Sequence, residues 1–444
     1  MSQLAKSLPE ESQEQIVRAL KYAQQRGADA AEIAVNQENG FSVNARLGTV
    51  ETVEHHNYHT LAITVYKGQS KGSASTNDLG QAAIERAVLA ALNIASVTAE
   101  DQYAGLADAE DMAFEYPDLQ LYHPWDLSTE RAIDLAIECE NAARADDKIT
   151  NSEGASLTTI NGVSSYANTH GFFGQFPSSR HSISCSVIAG EQDQMQRDYW
   201  YSVARDASKL QNVVEVGEIA KYRTLRRLGG KQISTQKLPV LFEPNLARGL
   251  IGHFVSAIGG TSLYRKASFL VDGLGKQVFP SWMNISENPH LLSAIGSAPF
   301  DNEGVKTAAR NIVSQGVLDG YVLSSYSARR LGMHTTGNAG GVHNVELSHT
   351  DQSFSELLKT MDRGLLVTEL IGHGVNGVTG DYSRGASGFW VENGEIQYPV
   401  QEITIAGNLS DIYSRIVGIG NDTDVSGNIR CGSILVEEMT LAGA

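Results

Sequence analysis

The chain has little cysteine. Three residues, Cys139, Cys185 and Cys431, lie far apart among 444. That odd, sparse count excludes a disulfide framework and implies a reducing compartment. Proline is also scarce, 10 against 43 glycines, and 41% of residues are hydrophobic, which together exclude a disordered chain. Positive charge is short as well: 34 Lys and Arg face 51 Asp and Glu, a net charge of −17. A nucleic-acid surface needs clustered cations to displace phosphate counterions, so nucleic acid is not expected as a partner. No stretch reaches the ~18 apolar residues of a membrane span. "MSQLAKSLPEESQEQIVRAL" lacks the apolar core of an export signal. The expectation is a cytoplasmic protein without membrane contact.

At about 150 residues per domain, a chain of this length holds two or three domains. Ile16, Val17, Leu20 and Ala23 make the stripe of a first helix over 9–26, and Gly27 suits its C-terminal cap. Short strands follow, with turns near Gly48 and Gly68 and a hairpin end at "EHHNYH". Asn77 is placed to cap a second helix running to about Val97. The order then repeats. Ser128 caps a helix to about Ala145, Asn161-Gly162 reads as a hairpin turn, two more strands follow, and a helix spans 213–228. Helix, strands, helix thus occurs twice, which suggests a structural duplication.

The polar connector "KQISTQKLPV" puts a domain boundary near residue 236. Beyond it come short strands, many glycines, helices over 245–258, 324–331 and 353–363, and a hairpin turning at Asn393-Gly394. The expected fold is α+β in two domains: 1–236, helices and antiparallel meanders duplicated, and 237–444, a β-rich barrel or sandwich.

Few patterns carry chemistry. "GHGVNG", Gly372 to Gly377, matches G-x-G-x-x-G after an apolar strand, but "VTGDYSRGASG" follows. A pyrophosphate needs a helix N-terminus there, so this is a tight glycine loop. His55 and His59 share a face of an extended chain, a pair that could bind metal, without further ligands nearby. No nucleophile elbow or phosphate-binding loop is present, and the serines of "SSYSARRLG" and "GDYSRGASG" have no base beside them.

"PFDNEGVKT", "SSYSARRLG", "GDYSRGASGFWVENGEIQYPVQEITIAGNL" and "NDTDVSGNIRCGS" resemble the TldD/PmbA metallopeptidase family, in particular its PmbA (TldE) branch, once called modulators of DNA gyrase. "ITVYKGQSKGSAST" and "SLYRKASFLVDGLGKQ" extend the resemblance over nearly the whole chain. In the TldD branch, a helix bearing H-E-x-x-x-H supplies two zinc ligands and a catalytic glutamate, and a C-terminal cysteine supplies a third ligand. Laid on "GLIGHFVSAIGG", the two histidine positions fall on Gly252 and Ala257, and the glutamate position on His253. The cysteine position falls on Cys431. Gly252 and Ala257 have no side-chain donor, so the resemblance implies a chain without its own zinc site. Zinc is then expected in a TldD-type partner, the two acting together on extended or unfolded peptides. Peptide-antibiotic maturation and antitoxin degradation are the implied roles. Gly374 and Gly385 are candidates for close approach of a peptide. A homodimer is the alternative assembly. Alternatives for function are an active peptidase using His253, Cys431 and one of His334, His343 or His373, and a non-enzymatic adaptor in toxin–antitoxin or gyrase modulation.

Overall fold

The computed structural model describes residues 7–443, so the first six residues of the stretch read for an export signal lie outside it. The first half is α1 (Glu10–Gln25), β1 (Ala30–Arg46), β2 (Thr49–Lys67), β3 (Ser70–Thr76), α2 (Gln81–Val97), α3 (Thr129–Ala143), β4 (Ile149–Asn168), β5 (Phe173–Ala189), β6 (Gln196–Ala204) and α4 (Val213–Leu225). Its strands form one antiparallel sheet in the order β3-β2-β1-β4-β5-β6. Helix, three strands, helix therefore occurs twice, and the halves join where β1 pairs with β4.

One face of this sheet carries two separate cores. Ile33, Val35, Ile63 and Val65 pack against α1 and α2 at one end. Phe41, Val43, Leu157 and Ile183 pack against α3 and α4 at the other. Between them runs a polar band, in which Asn39 pairs with Asn57 on one side and Asn161 on the other. Three sequence expectations are corrected here. "EHHNYH" is the middle of the 19-residue β2, not a hairpin end. Asn161-Gly162 is not a turn: it lies inside the 20-residue β4, with ladder partners on both sides. Asn77 caps nothing, because α2 starts later, with Gly80 as its N-cap. His55 and His59 of β2 lie four residues apart, about 13 Å along a strand, too far to share an ion. Ser128 does cap α3, accepting from the Arg131 N–H at 3.2 Å.

The second half is β7 (Gln236–Phe242), α5 (Pro244–Ala257), α6 (Gly260–Tyr264), β8 (Ile285–Glu287), β9 (Arg310–Ser314), β10 (Val317–Leu318), α7 (Ser325–Leu331), β11 (Val345–Leu347), α8 (Phe354–Met361), β12 (Gly364–Ile371), β13 (Asp381–Glu392), β14 (Glu395–Asn408), α9 (Leu409–Ser414), β15 (Ile416–Ile419), β16 (Ile429–Arg430) and β17 (Ile434–Ala442). Strands β14-β13-β12-β7-β17 follow one another, and β17 pairs back onto β14, closing a five-stranded barrel. β15 adds to the outer side of β17. The β13–β14 hairpin turns at Asn393-Gly394, both at positive φ, as that dipeptide favours. Helix α5 packs Leu250, Ile251 and Phe254 on the barrel, where the Tyr413 hydroxyl donates to the Leu250 carbonyl at 2.9 Å. Strands β8 to β11 with β16 form a smaller sheet beside it.

The halves are tied by a buried ionic cluster. Arg223 of α4 donates to Asp198 of β6 at 3.3 Å and to Glu243, the residue before α5, at 2.9 Å. Arg226 meets the other Glu243 oxygen at 2.8 Å, and Arg227 pairs with Asp198 and Glu369. Among the described residues, no helix is long and apolar enough to cross a membrane.

Candidate functional site

Helix α5 begins with Pro244, whose missing N–H costs nothing in a first turn. Its apolar stripe fixes its rotation on the barrel, and that rotation settles where the family's site positions face. Gly252 turns toward β16: a Cβ there would find Ile429 Cδ1 as its nearest neighbour, at 3.9 Å. Cys431 follows β16, so helix position 252 and the cysteine lie on the same side of the fold. Ala257 is buried, and lines the same cavity as His253 rather than the side that faces β16. Cys431 is buried too, with its Sγ 4.0 Å from the Pro244 carbonyl. Burial, reinforced by the Asp424 charge, pushes its thiol up to about 12. The neighbouring carboxylates are occupied: Asp422 accepts from Ser433, and Asp424 faces Arg248 at 3.4 Å.

His253 faces elsewhere. It lies edge-on to Tyr382, with ring centroids 6.1 Å apart, and lines a cavity of about 280 Å³ with Ser256, Ser262, His373 and Arg384. Burial first, then the Arg384 charge, lowers its pKa, which favours the neutral imidazole. The structure thus brings His253 and His373 to one cavity and leaves Cys431 outside its lining. His343 is held by Glu287, which accepts its backbone N–H at 2.7 Å, and His334 is exposed beyond α7. Among the described residues, no group of three or more His, Cys, Asp or Glu could hold a metal ion.

The loop between β12 and β13 carries "GHGVNG", and a strand follows it rather than a helix. Gly374 accepts from the Ser383 N–H at 2.6 Å, and a Cβ on it would overlap the Ser383 carbonyl. Its lack of a side chain therefore already serves the loop's closure on β13. At Gly385 the nearest neighbour of an added Cβ is Ile371 Cβ, at 3.3 Å. Arg384 was legible only as part of "GDYSRG". Its meeting with His253 had no signal in the sequence, because 131 residues (384 − 253) separate them.

Three family profiles match in succession: the PmbA/TldA metallopeptidase domain 1 over 31–95, the central domain over 122–228 and the C-terminal domain over 235–443. The chain belongs to the PmbA/TldA metallopeptidase family. It is 51% identical over 432 residues to "Metalloprotease PmbA" of Escherichia coli O157:H7, covering 97% of this chain and 96% of that one. A "Metalloprotease PmbA homolog" of Haemophilus influenzae is 49% identical over 442 residues, 99% and 98% of the two chains. Among solved structures, a putative modulator of DNA gyrase from Bacteroides thetaiotaomicron superposes with a TM-score of 0.94 at 28% identity, covering 98% of this chain and 100% of that one. TldE of Thermococcus kodakarensis shares the fold, with a TM-score of 0.85 at 19% identity over 97% and 100%.

Proposed function

We propose that this chain is the PmbA/TldE-type subunit of a zinc metallopeptidase complex and carries no zinc site of its own. The carrying observation is what stands at the family's ligand positions on α5. Protein zinc takes nitrogen, sulfur or carboxylate donors, usually four in all. Gly252 and Ala257 offer none. Cys431 offers one thiol, and a single donor does not make a zinc site. The residues present do not fit the ion, so no catalytic step is assigned to this chain. A TldD-type partner holds the zinc in this reading, and the complex cleaves extended or unfolded peptides, such as a peptide-antibiotic precursor or an antitoxin. The glycine loop around Gly374 and Gly385 supports a role in receiving such a peptide, since backbone without side chains lets an extended chain approach closely.

The test is zinc stoichiometry by elemental analysis of the purified chain, run beside peptide hydrolysis with and without a TldD-type subunit. The expected result is no stoichiometric zinc and cleavage only in the mixture. Near one zinc per chain, lost in Cys431→Ala, would overturn the reading. No cleavage in either preparation would favour the adaptor alternative.

A further inference from the structure

The cavity at His253 contains a cation with no partner. Arg384 makes no ion pair and no hydrogen bond with any described residue, and its Nε is shut off from solvent without an acceptor. Among the described residues, no Asp or Glu lines the cavity. In a chain of net charge −17, a half-buried guanidinium without a carboxylate is out of keeping with the rest of the molecule. The other buried arginines are all matched: Arg223 and Arg227 by carboxylates, Arg205 by the Ala294 and Ile295 carbonyls. Leaving a buried charged donor unsatisfied costs stability. A ligand that supplied the missing acceptors would remove that cost.

The lining indicates what the ligand carries. A guanidinium presents a planar fork of N–H donors that suits the two oxygens of a carboxylate. His253, kept neutral, has one N–H to donate. The hydroxyl of Ser262 makes no hydrogen bond with a described residue and lines the same cavity, a third donor available to an anionic group. A single positive charge matches a monoanion. About 280 Å³ holds one such group with a small substituent. The wall formed by Gly372 and Gly377 is backbone without side chains, so a chain can approach it closely.

We propose that Arg384, with His253 and Ser262, forms a carboxylate-binding pocket, and that its occupant is the free C-terminus of an extended peptide. The peptide part rests on the metallopeptidase reading, but the carboxylate part does not. Arg384 holds the anion and fixes the peptide's end against the β12–β13 loop. No bond is made or broken there.

The test uses the full chain alone. A tripeptide Gly-Gly-Ala with a free C-terminus, the same tripeptide as its amide, and acetate are each titrated by calorimetry. The His253 imidazole is followed by NMR. The free acid should bind, the amide at least tenfold more weakly, and the His253 resonance should shift on binding. Arg384→Gln should weaken the acid at least tenfold while its melting temperature stays level or rises, because an unpaired buried charge has gone. Arg384→Lys should recover part of the binding. Equal binding of acid and amide, no binding of the acid, or unchanged binding by a folded Arg384→Gln would overturn the pocket. Acetate binding as tightly as the tripeptide would overturn the peptide occupant alone, and the metallopeptidase reading would still rest on its zinc and cleavage assay.

Discussion

Replacing Arg223 with methionine tests how the two halves are held together. Its side chain is buried, as are those of Asp198 and Glu243, and it alone contacts both carboxylates. Removing one member of a buried ion pair costs about 3–5 kcal/mol, mostly from the charge left behind. Arg226 stays 2.8 Å from Glu243 and Arg227 3.6 Å from Asp198, so both carboxylates keep some compensation. That puts Arg223→Met at the low end, about 3 kcal/mol, roughly a 150-fold rise in the unfolding constant. Adding Asp198→Asn removes the stranded charge. It keeps an oxygen to accept the Tyr199 N–H, now 2.7 Å away, and leaves Arg226–Glu243 and Arg227–Glu369 as matched pairs. The double variant should recover at least half of the loss. Urea unfolding followed by tryptophan fluorescence suits the measurement, because Arg223 lies 5.4 Å from the Trp200 ring centre. A single variant within about 1 kcal/mol of the parent, the range of an exposed pair, would refute the reasoning. So would a double variant less stable than the single.

His181 is fully buried, with Nε2 2.8 Å from the His123 carbonyl and Nδ1 2.8 Å from the Thr159 hydroxyl. A carbonyl only accepts, so Nε2 carries the proton and Nδ1 accepts from Thr159. Burial lowers its pKa from 6.5, so as pH falls through that value the unfolded chain binds more protons than the folded one. Stability present at neutral pH is lost on acidification, and His181→Gln should flatten part of that slope between about pH 7 and 5. Urea melts across the range would show an unchanged slope if the reading is wrong. All three cysteines are buried; contact with Cys139 and then burial raise the Cys185 thiol, and burial raises that of Cys431. A thiol reagent at pH 8 should find no fast-reacting group in the native chain and three in urea. One rapid native equivalent would contradict the burial of Cys431.

Much of the fold was legible because its causes are local. The apolar stripe of α1, the Ser128 cap of α3, the turn at Asn393-Gly394 and the repeat of helix, strands, helix depend on residues a few positions apart. Distant pairing overruled other local signals. Asn161-Gly162 has the same turn chemistry as Asn393-Gly394, yet it is a strand because Asn39 and Glu38 lie on one side and Ser179 and Ser178 on the other. "EHHNYH" is polar because it crosses the gap between two helical pairs, a gap no residue in it foretells. At the candidate site, the sequence alone determined what is missing, since Gly252 and Ala257 lack donor atoms in any conformation. Only the tertiary structure decided what faces what. Packing of α5 on the barrel turns position 252 toward β16, and turns His253 into a cavity shared with an arginine 131 residues along the chain (384 − 253). The identity of a side chain is a local property, but its neighbours follow from how helices and strands bury their apolar faces together.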